Sequence, residues 1–179
     1  SLNRTWNILM PPSVEALPEA PMKRALLTSA TVFALALAPA MATAKDLPAG
    51  GMTAQDVVSW LQSDGYPATT TTEKDGGTTI NSASDGSPFH ISMYDCNGGP
   101  RCSSLEFFVG FDTHGAFNAD KMNDWNRRNR WTRAYVDSTN DPWLEMDVDL
   151  SPGGTYEILD DQFTIWRDEF RSFRKFINW

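Results

Sequence analysis

Residues 144–150 read Leu-Glu-Met-Asp-Val-Asp-Leu, residues 151–154 Ser-Pro-Gly-Gly, and residues 155–177 Thr-Tyr-Glu-Ile-Leu-Asp-Asp-Gln-Phe-Thr-Ile-Trp-Arg-Asp-Glu-Phe-Arg-Ser-Phe-Arg-Lys-Phe-Ile. The first piece alternates apolar with acidic residues, the period of a strand with one wet face. The second breaks the pattern. In the third, Tyr156, Leu159, Phe163, Trp166, Phe170, Phe173 and Ile177 recur at spacings of three and four, one continuous helical stripe. Ile158, Ile165, Phe176 and Trp179 widen it. A half-wet strand feeding a long amphipathic helix predicts an α+β fold, an antiparallel sheet packed by helices. Two expectations attach to the helix. Its aromatic face fills the core against the sheet, or the excess face, at Phe163, Trp166, Phe170, Phe173 and Ile177, also meets a second subunit or a ligand.

Working back towards the N-terminus, the pattern repeats in smaller units. Trp131 to Asp137 reads as a strand, joined to the one above by a turn at Asn140-Asp141-Pro142. Asn118 to about Asn129 reads as a helix with Met122 and Trp125 on one face. Leu105, Phe107, Val109 and Phe111 alternate with Glu106, Phe108 and Gly110; Phe89, Ile91 and Met93 alternate with His90, Ser92 and Tyr94. Thr78 to Ser84 and Ala68 to Glu73 are two more strands, separated by a turn at Asp75-Gly76-Gly77. Thr53 caps a first helix carrying Val57, Val58, Trp60 and Leu61, which ends at Gly65 and Pro67. The expected order is α-β-β-β-β-α-β-β-α, with tight turns making the neighbours antiparallel.

The first 44 residues read differently. Met22-Lys23-Arg24 is a basic start, Ala25 to Ala38 is uncharged and mostly apolar, and Ala42-Thr43-Ala44 is a small-x-small cleavage site after Pro39. The apolar run is too short to span a bilayer, which takes roughly 20 residues. Residues 22–44 are therefore expected to be a cleaved signal peptide, residues 1–21 an upstream extension outside the native protein, residues 45–52 a short flexible N-terminus, and residues 53–179 the folded domain. Export, to the periplasm, follows as an expectation, with no stable membrane span after cleavage. Removing residues 1–44 takes away Arg4, Lys23, Arg24, Glu15 and Glu19. From 15 basic and 23 acidic residues, 12 and 21 remain, a net charge of −9. Such a balance argues against nucleic acid as a partner, since phosphate binding needs a basic surface.

Cys96 and Cys102 flank Asn97-Gly98-Gly99-Pro100-Arg101, five turn-forming or polar residues between strand-like segments. A hairpin tip closed by a disulfide is the simplest reading behind a signal peptide. The competing reading is a redox or metal pair. A thioredoxin-type site needs two intervening residues, and zinc needs two more ligands, for which only His90 and His114 are available.

The second half holds a basic segment in an acidic chain: Trp125, Asn126, Arg127, Arg128, Asn129, Arg130 and, after Trp131-Thr132, Arg133. Arginine forks bind carboxylates and phosphates, so Trp125, Asn126, Arg127, Arg128, Arg130 and Arg133 form a candidate surface for an acidic ligand or a partner. The alternative is pairing with the protein's own acids, because Glu145, Asp147 and Asp149 share one face of a neighbouring strand. Neither histidine has a triad-like context, and no Gly-x-Ser-x-Gly elbow occurs. No catalytic, metal or cofactor site is expected.

The run Asn123-Asp124-Trp125-Asn126-Arg127-Arg128-Asn129-Arg130, with Arg133-Ala134-Tyr135 and Leu144-Glu145-Met146-Asp147-Val148-Asp149, resembles the YbjN family of bacterial proteins labelled sensory transduction regulators. The Tyr94-Asp95-Cys96 and Cys102-Ser103 stretch resembles its exported members. The resemblance covers about Thr53 to Trp179. It implies a fold like that of type III secretion chaperones, an antiparallel sheet with helices on one side, often dimeric, and a regulatory or partner-binding role. The expectation is thus a non-enzymatic, chaperone-like exported binding domain with an unknown protein partner or a homodimer. A sensor for a small acidic ligand at the arginines is the alternative, and an undetected hydrolase a remote one.

Overall fold

The computed structural model describes residues 44–74 and 76–179. The expected upstream extension, the signal peptide up to Thr43 and Asp75 of the first turn lie outside the described residues. The elements follow the expected order: α1 (Ala54–Ser63), β1 (Ala68–Thr72), β2 (Thr78–Ser84), β3 (Ser87–Tyr94), β4 (Ser104–Gly110), α2 (Ala119–Arg128), β5 (Arg133–Val136), β6 (Pro142–Asp149) and α3 (Tyr156–Ile177).

Each helix starts where its side chains can satisfy the free N–H groups of the first turn. Thr53 and Asp56 form a reciprocal capping box on α1, and Asn118 and Thr155 accept from the first turns of α2 and α3. The six strands form one antiparallel sheet in the order β1-β2-β3-β4-β6-β5. The β2–β3 hairpin turns on Asp85 and Gly86, both at positive φ, the conformation that a tight two-residue turn requires. The chain leaves β4 through α2, lays β5 at the sheet edge, and returns as β6 between β5 and β4.

The core lies between the sheet and the helices. Ile80, Ile91, Phe107 and Met146 stand in register across four strands, with Leu105 and Val148 beside them. The α3 stripe packs onto this row. Phe163 and Trp166 stack on Phe107 at 5.9 and 5.7 Å, and Phe173 meets Trp125 of α2 at 5.0 Å. This corrects the expectation of an interface helix. Phe163, Trp166, Phe170, Phe173 and Ile177 are all buried, none more than 6% exposed, against the sheet and the other helices of the same chain. The stripe is wide because a six-stranded sheet is wide, and it leaves no surplus apolar face at those positions.

Residues 45–52 also differ from the expected flexible tail. The Lys45 carbonyl accepts from Tyr156 N–H at 2.9 Å, Leu47 N–H donates to the Gly154 carbonyl at 2.8 Å, and Met52 is fully buried. Met52 and Cys102 exchange both backbone hydrogen bonds, at 2.9 and 3.0 Å. Gly51 lies so close to this bridge that a Cβ would sit 2.0 Å from the Cys102 carbonyl oxygen. Cys96 and Cys102 are disulfide-bonded, closing the tip of the β3–β4 hairpin.

Candidate functional site

Helices cover one face of the sheet, and the alternating residues of the strands point to the other. On that outer face a chain of side chains crosses all six strands. Asn81 on β2 donates to the Thr71 hydroxyl on β1 at 2.8 Å, and His90 Nδ1 on β3 lies 2.8 Å from Asn81 Oδ1. The His90 ring is 5.3 Å from Phe108 on β4, Phe108 is 6.2 Å from Trp143 on β6, and Trp143 is 6.3 Å from Tyr135 on β5. Phe108 and Tyr135 lie within 16° and 10° of parallel to the indole. Trp143 is placed by two neighbours. Its Nε1–H donates to Asp137 at 3.2 Å, and its six-membered ring lies over Gly110, where a Cβ would come within 2.7 Å. The three rings form an aromatic floor, half-buried at Phe108 and Trp143 and exposed at Tyr135.

Carboxylates surround the floor. Glu106 on β4 stands directly opposite Asp147 on β6, and Glu145 opposite Arg133 on β5. Glu145 is buried and doubly engaged, paired with the Arg133 guanidinium and accepting the Tyr135 hydroxyl at 2.6 Å. Arg133 also lies 3.7 Å from Glu106, so one guanidinium faces two carboxylates. Burial, then the charges of Glu145 and Asp147, push Glu106 above the ordinary carboxylate range. Burial and the hydrogen bond to Glu145 push the Tyr135 hydroxyl well above its usual value. Burial pushes His90 down, towards the neutral imidazole.

Two shallow clefts share His90 and Trp143. One, about 270 Å³, is lined by Gly110, Phe111, Asp112, Asp137 and Asp141 as well. The other, about 250 Å³, adds Thr71, Glu73, Thr79, Asn81 and Phe108. Asp137 and Asp141 staple the β5–β6 turn. Hydrogen bonds from the Thr139 hydroxyl and the Asp141 N–H hold Asp137 down at about 2, and those from Gly115 and Thr113 lower Asp141. His90 thus shares a cleft with three aspartates, but its ring nitrogen is bound to an amide and no serine lines that cleft. Among the described residues no group of three or more His, Cys, Asp or Glu side chains is arranged to hold a metal ion.

The basic segment does not gather into one surface. Trp125 is buried, its Nε1–H donating to the Thr132 hydroxyl at 3.0 Å. Asn126 hydrogen-bonds both backbone groups of Ala134, at 2.8 and 2.9 Å, and so takes the place of a neighbouring strand along the β5 edge. Arg127 pairs with Asp124 one turn earlier, and Arg130 lies 4.2 Å over the Trp131 ring. Arg133 is committed to the outer face of the sheet. Arg128 is exposed and has no ion pair among the described residues. Sequence reasoning missed the aromatic floor. Its signal was present as aromatic residues at wet-face positions of three strands, Phe108, Tyr135 and Trp143, but aligning them needs the strand register.

No curated protein and no solved structure matches this chain. The model of the YbjN family, described as a putative bacterial sensory transduction regulator, matches residues 53–179. That span runs from the α1 cap to the end of α3 and includes the basic segment, the outer sheet face and the disulfide-closed hairpin, so the chain belongs to the YbjN family.

Proposed function

We propose that this chain is an exported, non-enzymatic regulatory domain that acts by holding a protein partner on the outer face of its sheet. The observation that carries the reading is the aromatic floor of Phe108, Trp143 and Tyr135, half-buried or exposed on a face that none of α1, α2 or α3 covers. A solvated sheet face ordinarily carries polar side chains, and aromatic residues clustered on one are typical of contact surfaces. Export is supported by the Cys96–Cys102 disulfide, which suits an oxidising compartment, and by the basic, apolar and small-residue pattern of residues 22–44.

Site-specific photo-crosslinking in the producing cell tests it. A photoreactive residue at Thr79, on the outer face, should give protein adducts in the periplasmic fraction, while one at Asp161, on the exposed side of α3, should give none. Adducts from Asp161 alone, or from neither, would remove the sheet face as the contact surface. Mass spectrometry of the purified protein should find a chain starting near Lys45.

A further inference from the structure

We propose that the aromatic floor and its acidic rim receive an extended basic segment of the partner protein, with an arginine or lysine side chain laid over the Trp143 ring. This rests on the sheet face being the contact surface and adds the chemistry of what it contacts.

Three observations select that chemistry. The first is charge. Glu106 and Glu145 share one guanidinium, and Glu106 and Asp147 oppose each other directly across two strands. Like charges in that position are destabilising. A cation from outside would relieve the repulsion, whereas an anion would add to it. The second is the ring surface. A flat indole or phenol face attracts a guanidinium or ammonium, most strongly when water is excluded. Trp143 is held ready for this by Asp137 on its edge and Gly110 beneath its face. The third is spacing. Neighbouring rings of the floor are 6.2 and 6.3 Å apart. Alternate side chains of an extended peptide are roughly 6.8 Å apart, so a chain crossing the strands can place successive same-side residues on successive rings. The chain's own exposed Arg128 makes a second copy the competing occupant.

The test uses the full chain and a fluorescein-labelled octapeptide alternating arginine and serine, with citrulline–serine and glutamate–serine peptides as neutral and acidic controls. Fluorescence anisotropy should show the arginine peptide binding at least tenfold more tightly than the citrulline peptide, and weakening as salt rises. Trp143→Ala should lower that affinity about tenfold. Gly110→Ala, whose new methyl group displaces the indole without removing it, should do the same. Asp147→Asn should lower it about threefold, while Asp161→Asn, an equal change in net charge on the other side of the molecule, should leave it unchanged. Where Trp143→Ala fails to fold by circular dichroism, Gly110→Ala and Asp147→Asn carry the test. Equal binding of the citrulline peptide, or equal loss with Asp161→Asn and Asp147→Asn, would overturn the inference. So would a wild-type dimer, seen by sedimentation, that Trp143→Ala dissolves. Crosslinks from Thr79 without preference for the arginine peptide would remove the cationic chemistry and leave the contact surface standing. Absence of both would remove the two together.

Discussion

At the scale of single residues, charge and hydrogen bonding give opposite signs at neighbouring carboxylates. Asp137 has its folded-state value lowered to about 2, so its interactions add stability above the unfolded value of roughly 3.9 and lose it as pH falls towards about 2. Asp141 is lowered too and acts in the same direction. Urea midpoints measured from pH 5 to pH 2 should fall in that window, and Asp137→Asn should flatten the fall. Glu106 is raised, so its ionised form weighs against the fold once pH exceeds the unfolded value. Glu106→Gln should therefore raise the unfolding free energy from urea titration at pH 7 by about a few tenths of a kcal/mol, and the gain should disappear below about pH 4. An unchanged midpoint at pH 7 would mean that Arg133 already neutralises the repulsion. Asn126 is a different case, because two backbone groups of β5 depend on one amide. Asn126→Ala should cost about 1–2 kcal/mol in the same assay.

At the scale of elements, α3 brings six buried side chains to the core. Trp166 is fully buried among Phe89, Phe107 and Phe170, and its indole N–H has no acceptor among the described residues. Trp166→Ala should cost about 3–5 kcal/mol. Trp166→Phe loses volume but also removes an unsatisfied donor, so its cost should stay below about 1.5 kcal/mol. Equal losses for the two would mean that the N–H is satisfied by water. The β3–β4 hairpin depends on its disulfide in a separate way. The double variant Cys96→Ser/Cys102→Ser should lose about 2 kcal/mol for so short a loop, and should loosen residues 45–52 in hydrogen exchange, since Met52 is bridged to Cys102. These elements were legible in the sequence because period and burial coincide. Spacings of three and four marked Phe163, Trp166, Phe170, Phe173 and Ile177, and alternation marked Leu144, Met146 and Val148. Whether the α3 stripe was core or interface was not legible, because that depends on how many strands lie under it. Asn126 was hidden for a related reason. An amide on a helix says nothing of a strand edge eight residues later. The segment at 45–52 reads as loose because its partners, Cys102, Gly154 and Tyr156, are fifty or more residues away.

At the scale of the whole molecule, the sheet has one face covered by helices, one face open among the described residues, and two edges, and each is treated differently by the sequence. The covered face takes the aliphatic and aromatic residues that alternate correctly. The open face takes aromatic residues that break the alternation, together with the carboxylates Glu106, Glu145 and Asp147. The edges differ from one another. On β5 both backbone groups of Ala134 are taken by the Asn126 amide, while β1, at the far side, is a threonine-rich strand exposed from Thr69 to Thr72. A fibre built by strand-to-strand addition needs both ends of every unit free, as a chain of links needs two hooks on each. A unit with one hook closed can couple once and then stops. Concentrated protein should therefore form nothing larger than a pair through its sheet edges. Asn126→Ala, by reopening the second hook, should be the substitution that lets light scattering and thioflavin fluorescence grow with time.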